Sequence, residues 1–415
     1  MRFDLPQGGR KTGSVQAGLG LKQNRGARRG SVVGPRSSAE FRGTSPVTSG
    51  DQPGAKGVFL PGTAKPFSAR GSPNCLREKR LVTGPQPGLI QPVRPVRAAV
   101  IDVGTNSVKL LVADLDDGVR PVLERGIQTR LGQGFYPDRR LQPEAIARTA
   151  AAVRQLADEA RKAGAQRLKV FATSAAREAR NRDALLGALE AAAGLPVKVI
   201  SGEQEAEWAF HGVRTHPQWA TEPIVLVEVG GGSTQILVGQ ADQIRFRDSY
   251  PLGAVRLWEQ LEVSDPPKPA ELAKARQQVR SFLKQNALHL LLDALQRETA
   301  RHSQHHQPLP VAVGGTATTL ARMELQMDSY DRDRIESVLL TPERLQRRVE
   351  QLWTLPLAQR RQLPGLPPER ADVILTGAVI YEQLQAELDL QAWRVSTRGL
   401  RFGAIQALRN APPGS

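Results

Sequence analysis

Two short stretches of this 415-residue chain carry the same chemistry. "VIDVGTNS" spans residues 100–107 and "VEVGGGST" residues 227–234; superposed, they set Asp102 on Glu228, Gly104 on Gly230 and Ser107 on Ser233. In each, an apolar run that reads as a buried strand delivers one carboxylate to its C-terminal edge, and glycine and hydroxyl residues follow. A lone carboxylate there is desolvated and needs a cation or donors beside it. Glycines let the backbone approach a ligand without Cβ interference, and successive N–H groups form an anion-binding nest. Gly104, Thr105, Asn106 and Ser107, with Gly231, Gly232, Ser233 and Thr234, are therefore expected to cradle phosphate. Asp102 and Glu228 are expected to hold a metal ion or its waters, Mg²⁺ with Mn²⁺ as the alternative. Taken singly, either turn reads better as a tight β-hairpin. The matched carboxylates favour phosphate.

Other motifs are weaker. "GGTATTL" at 314–320 is a third strand–glycine–helix junction, which would aim helix N-terminal N–H groups at an anion. "TSAAREARN" at 173–181 brings Arg177 and Arg180 to a polar junction that also reads as a capped helix start. The phosphate-loop lysine signature, the GxSxG nucleophile elbow and HExxH are all missing. "HSQHH" at 302–306 reads as a solvated loop rather than a metal site.

The elements needed to position these turns follow from the hydrophobic pattern. From Arg97 the chain reads as three consecutive strands, a helix from about Pro143 to Ala163, the strand "RLKVFATS", and a helix stopped by Gly194. "VKVI" and the helix "EQEAEWAFHGV" come next, and from about Pro223 the three-strand pattern begins again. Long helices over roughly 269–296, the strand "PVAVGG", helices to residue 389 and the strand "AWRVST" complete the chain before "GLRFGAIQAL". Both halves read strand–strand–strand–helix–strand–helix, an internally duplicated α/β unit.

Composition narrows the class. The net charge of +16 is uneven: residues 1–96 carry +12 and the rest only +4, so a nucleic-acid-binding core is not indicated. Those 96 residues also hold 16 of the 38 glycines and show no amphipathic period, so a disordered basic tail without specific nucleic-acid function is expected. The only cysteine, Cys75, excludes an intrachain disulfide framework, and a cytoplasmic setting is the default. No apolar stretch is long enough for a membrane span, and no signal-peptide core is seen at the N-terminus.

"VIDVGTNSVKLLV", "FATSAAREARN", "ISGEQEAEWAFHGV", "VEVGGGSTQ", "PLGAVRL", "VGGTATTLA" and "STRGLRFG" occur in that order over about residues 97–408. Together they closely resemble the exopolyphosphatase/guanosine pentaphosphate phosphohydrolase family, in its short two-domain form. The resemblance implies a duplicated RNase H-like α/β fold of the actin/hexokinase/chaperone ATPase type. Its first domain would hold residues 97–204 plus the C-terminal helix 398–412, and its second residues 205–397, with the cleft between them. It implies Mg²⁺-dependent hydrolysis of the terminal phosphate of inorganic polyphosphate, or of the 5′-γ-phosphate of guanosine pentaphosphate in the stringent response. Glu205 matches the family's catalytic glutamate, whose chemistry suits orienting and deprotonating a water for in-line attack. Arg177 and Arg130 match basic positions near the phosphates, and surface ion pairing is their plainer role. A homodimer is compatible with this reading.

Three positions depart from the family pattern. Glu228 stands where aspartate is usual, Gln235 where glutamate is common, and Phe402 where glutamate is frequent. These bear on metal stoichiometry and substrate preference rather than on whether there is turnover. Competing readings are a kinase of the same architecture, for which no adenosine pocket or acceptor base is evident, and a non-catalytic polyphosphate- or nucleotide-sensing scaffold.

Overall fold

The structure, a computed structural model, describes residues 96–116, 118–301 and 307–409. The expected disordered tail (apart from Val96), Cys75, the histidine-bearing loop at 302–306 and the last residues of the expected C-terminal helix lie outside the described residues. The first half comprises β1 (Arg97–Val103), β2 (Ser107–Asp114), β3 (Arg120–Gln128), α1 (Pro143–Lys162), β4 (Arg167–Ala172), α2 (Ser174–Glu178), α3 (Arg182–Ala193), β5 (Val197–Val199) and α4 (Gly202–Val213). The second opens with β6 (Pro223–Val229), β7 (Thr234–Gln240), β8 (Gln243–Tyr250), α5 (Ala254–Leu261), α6 (Pro269–Asn286) and α7 (Leu288–Ala300). It continues through β9 (Leu309–Val313), α8 (Gly314–Glu324), α9 (Arg332–Glu336), β10 (Leu339–Leu340), α10 (Pro342–Thr354) and α11 (Leu357–Arg360). It ends with α12 (Ile374–Glu387), β11 (Trp393–Ser396) and α13 (Leu400–Arg409).

The two sheets run β3-β2-β1-β4-β5 and β10-β11-β9-β6-β7-β8. In each, the first strand pairs antiparallel with the second and parallel with the fourth. Read from β8 inwards, the second sheet repeats the first strand for strand, with the two-residue β10 added at its edge. The chain is therefore the duplicated α/β unit expected from its pattern, in the RNase H-like form that the resemblance implies. β1 and β6 lie at the centre and are apolar on both faces, as strands covered on both sides must be. The helices expected from residue 269 are α6 and α7, which meet at Ala287 and reach Ala300, and the short strand β10, not expected from the pattern, lies among the later helices.

Packing explains how the halves are joined. α1 and α3 bury Val153, Leu156, Leu185 and Leu189 against one face of the first sheet. α13 covers the other face through Leu400, Phe402, Ile405 and Leu408. α4 turns Ala206, Ala209, Phe210 and Val213 onto the second sheet, whose far face carries the largest core, under α5, α6, α8, α10 and α12. α4 and α13 meet backbone to backbone. A Cβ on Gly403 would lie 1.9 Å from Trp208 O, and one on Gly212 would lie 2.1 Å from Gly399 O. This contact fixes α4, whose first turn carries Glu205, so a methyl group there must push the helices apart. Gly403→Ala is expected to lower Tm by about 5 °C or more in a thermal melt; an unchanged Tm would contradict such close packing.

Candidate active site

The two glycine turns are built alike. Gly104 N donates to Ser107 O at 3.0 Å and Gly230 N to Ser233 O at 2.9 Å. Each turn then gives its carbonyls to the segment that follows its three strands. Thr105 O accepts from Gly132 N, and Asn106 O accepts from Thr129 N and Arg130 N. Gly230 O accepts from Ala254 N, and Gly231 O from Val255 N and Arg256 N, at the start of α5. With the carbonyls tied outward, what the turns have left to offer is N–H groups and hydroxyls, the chemistry of an anion nest. The turns also face each other closely. A Cβ on Gly231 would lie 3.1 Å from Thr105 Cβ, and one on Gly232 would lie 2.9 Å from Thr105 Oγ1 and 2.5 Å from Ser174 Oγ. A side chain at Gly232 would have to displace those hydroxyls.

Between the turns is a cavity of about 70 Å³, lined by Asp102, Gly104–Ser107, Lys109, Glu205, Glu228, Gly230–Ser233, Thr316 and Arg370 among others. That is room for a few water-sized groups. It adjoins a larger cavity of about 490 Å³ that shares Asp102, Lys109, Glu228, Gly315 and Arg370 and adds Arg322, Tyr330 and Arg401. Asp102 and Glu228 come from the ends of β1 and β6. Their neighbours across the antiparallel pairs are Lys109 and Gln235. Glu205 enters from the first turn of α4, which Ser201 caps by accepting from Gln204 N at 3.1 Å. Gly314, with φ of +88°, lets α8 begin directly beside Glu228, so the positive end of that helix faces the carboxylate.

Burial governs the protonation of these groups. It pushes Glu205 up to about 7, against the Arg177 guanidinium, whose Nη1 donates to Glu205 Oε2 at 2.6 Å. It pushes Glu228 up to about 7 as well; Lys109 opposes this, and Glu205 and Asp102 add to it. Asp102 is raised by burial and held back by Lys109 and Arg401. Lys109 is lowered to about 8, first by burial and then by Arg370, with Asp102 opposing. Asp102 Oδ1 and Glu228 Oε2 are buried without a hydrogen-bond partner, an expensive condition unless a cation or ligand completes the site.

The structure thus brings together Asp102, Gly104, Thr105, Asn106, Ser107, Glu205, Glu228, Gly231, Gly232 and Ser233 around one cavity, with Arg177 behind Glu205. Thr234 and Arg130 are placed elsewhere. Thr234 is fully buried, and its hydroxyl donates to Leu252 O at 2.5 Å. Arg130 pairs with Asp372 at 2.8 Å and donates to Glu369 O at 3.1 Å, steadying the segment that carries Arg370. Lys109 and Arg370 were not anticipated. Lys109 had a signal, since it lies two residues beyond Ser107 on a strand and hence on the same face, in an otherwise apolar run. Arg370 had none: it sits in a proline-rich loop and reaches the site by pressing its guanidinium onto Gly315, within 2.5 Å of where a Cβ would be.

The shifted carboxylate has a consequence for stability. Glu228 keeps its proton to higher pH when folded than when unfolded, so its favourable contribution is complete below the unfolded value and is lost as pH rises through about 7. Lys109 runs the other way: its contribution is present above the ordinary lysine range and lost as pH falls through about 8. Glu228→Gln is accordingly expected to raise Tm by a few degrees near pH 8 in metal-free buffer and to change it little near pH 5. Equal shifts at both pH values would contradict the burial of that charge.

Comparison with known proteins agrees with this geometry. The sequence pattern described as the Ppx/GppA phosphatase family matches residues 111–410. Exopolyphosphatase 2 of Mycobacterium tuberculosis is 36% identical over 304 residues, covering 70% of this chain and 91% of the relative. The crystal structure of the Aquifex aeolicus family member superposes with a TM-score of 0.61 at 28% identity, covering 77% of this chain and 99% of that one. An exopolyphosphatase from Cytophaga hutchinsonii shares the fold, with a TM-score of 0.64 at 22% identity over 76% of this chain and 98% of that one. With the duplicated sheets, the paired turns and a match over most of its length, the chain belongs to the Ppx/GppA phosphatase family.

Proposed function

We propose that the chain is an exopolyphosphatase that releases the terminal phosphate of inorganic polyphosphate by direct attack of water. The observation that carries this reading is the convergence of a base-type carboxylate, Glu205, and two N–H-presenting turns on one small cavity. The space there suits a terminal phosphoryl group and an attacking water, while the adjoining cationic cavity suits the rest of a polyanion.

In this reading Glu205 accepts a proton from the water as its oxygen bonds to the terminal phosphorus. The bond from phosphorus to the bridging oxygen breaks, and the shortened chain leaves with the electron pair. Arg177 fixes the rotamer of Glu205 and keeps a charged form accessible in spite of burial. The turns receive the equatorial oxygens through N–H groups and through Thr105, Ser107 and Ser233. Lys109 and Arg370 neutralise charge on the side facing the larger cavity. Asp102 and Glu228 are the residues that would hold Mg²⁺. Their unpartnered oxygens fit such an ion, which takes one or two carboxylates and completes its shell from phosphate and water. Bound there, it would withdraw charge from the phosphoryl oxygens.

Guanosine pentaphosphate is the second reading, favoured by the size of the adjoining cavity and by the Tyr330 ring at its edge. Mg²⁺-dependent phosphate release from short polyphosphate, long polyphosphate and guanosine pentaphosphate, compared on one preparation, separates the two. Polyphosphate is expected to give the higher kcat/KM; a preference for the nucleotide would reverse the assignment. A cytoplasmic setting belongs to the same proposal and rests on the single cysteine.

Glu205→Gln is expected to lower kcat by about a thousandfold while leaving substrate affinity near that of the wild type. Full turnover by that variant would reassign the base. The pH profile of kcat/KM is expected to rise through about 7 as Glu205 loses its proton and to fall above about 8 as Lys109 loses its charge. A rise centred in the ordinary glutamate range would contradict the role given to burial.

A further inference from the structure

Lys109 and Gln235 occupy equivalent places after the two turns, one opposite Asp102 and the other opposite Glu228. Their side chains act differently. Lys109 lines the cavity, whereas Gln235 does not reach it and is completely buried behind Ser233. Gln235 Nε2 donates to Ser233 Oγ at 2.8 Å and to Ser249 Oγ at 3.0 Å. Both amide hydrogens are thereby used, while Oε1 is buried without a partner. A serine hydroxyl has one proton and two lone pairs. Ser233, accepting from Gln235, keeps its proton for another acceptor, and it lines the cavity. A carboxylate in place of the amide could only accept, drawing that proton back and turning lone pairs toward the cleft.

We propose that Gln235 is a positioning residue that commits the Ser233 hydroxyl proton to a phosphoryl oxygen in the cleft, so that the second turn can bind an anion without metal. This rests on the phosphate reading of the cleft given above. The amide is also linked, through Ser249, to the helix that carries Glu205. Its other anchor, Ser249, stands where a Cβ on Gly202 would come within 2.4 Å of Ser249 Cβ, so the first turn of α4 leans on the same serine. One buried amide therefore orients the hydroxyl that holds phosphate and braces the residue against which the base-bearing helix is seated.

The test is calorimetric titration of the full chain with pyrophosphate in EDTA, for the wild type, Ser233→Ala, Gln235→Met and the double variant. Wild type is expected to bind, and Gln235→Met to weaken binding roughly tenfold, the scale of one hydrogen bond to a charged group. In the Ser233→Ala background the same substitution is expected to cost less than about twofold, because its effect passes through that hydroxyl. A Gln235→Met protein that binds like wild type while Ser233→Ala binds worse would overturn the proposal. So would a loss that persists undiminished without Ser233. Failure of the wild type to bind pyrophosphate would instead remove the phosphate reading of the cleft, and the proposal with it.

Should Gln235→Met not fold, Ser249→Ala removes the amide's second anchor from outside the cleft. It is expected to weaken pyrophosphate binding about threefold; unchanged binding would overturn the proposal. Turnover of short polyphosphate with Mg²⁺ gives a readout that loss of packing alone would not. KM should rise with kcat held within about twofold, since the hydroxyl acts alike on bound substrate and transition state.

Discussion

Three carboxylates, Asp102, Glu205 and Glu228, are confined to a small cavity in which Asp102 favours protonation of Glu205 and both favour protonation of Glu228, and much of the surrounding structure serves to make that confinement tolerable. Among the described residues only Glu205 of the three has a direct ion pair, with Arg177. Asp102 and Glu228 rely on Lys109, on the N-terminus of α8 and on whatever completes their unpartnered oxygens. Left as it stands, such a site costs stability near neutral pH, and a bound cation with a polyanion would recover it. The turns answer the other half of the requirement. Because their carbonyls are tied to the 129–132 segment and to the start of α5, they can present donors to an anion without presenting acceptors beside it.

The duplication is geometric rather than chemical. The same turn closes the same strand pair in both halves, yet lysine follows one turn and glutamine the other. The additional methylene of Glu228 is accommodated by Gly314, whose missing Cβ would lie 3.1 Å from Glu228 Cγ. Phe402, at the third position departing from the family pattern, turns away from the cavity altogether. It is buried between the sheet of β1 and α13, with the Arg332 guanidinium 4.8 Å and that of Arg398 5.8 Å from its ring centroid. Phe402 thus makes an interior contact and does not line the cavity between the turns, so the departures at that cavity are Glu228 and, behind Ser233, Gln235.

What could be read from the chain was what is local. Central strands announce themselves as apolar runs, and a glycine cluster directly after a carboxylate stands out within a few residues, so Asp102, Glu228 and both turns were legible as a matched pair of strand ends. Arg370 was not, because its place depends on Arg130 holding the neighbouring Glu369 and Asp372 across the fold. The contact of α4 with α13 was equally hidden, since Gly212 and Gly403 lie far apart in sequence and each looks like an ordinary helix glycine. Thr234 was legible as a hydroxyl beside the turn, but strand alternation points it inward to Leu252. The pattern gave helices over this stretch without the point where one ends, because Leu283, Ala287 and Leu291 are all buried across the boundary at Ala287.

The most direct measurement is anomalous diffraction from crystals of the full chain grown with Mn²⁺ and pyrophosphate. The expected result is one ion between the Asp102 and Glu228 carboxylates, with the anion's oxygens on the N–H groups of both turns and Glu205 facing its terminal phosphorus. An ion bound elsewhere, or an anion outside the paired turns, would contradict the convergence of metal, phosphate and base on this cleft.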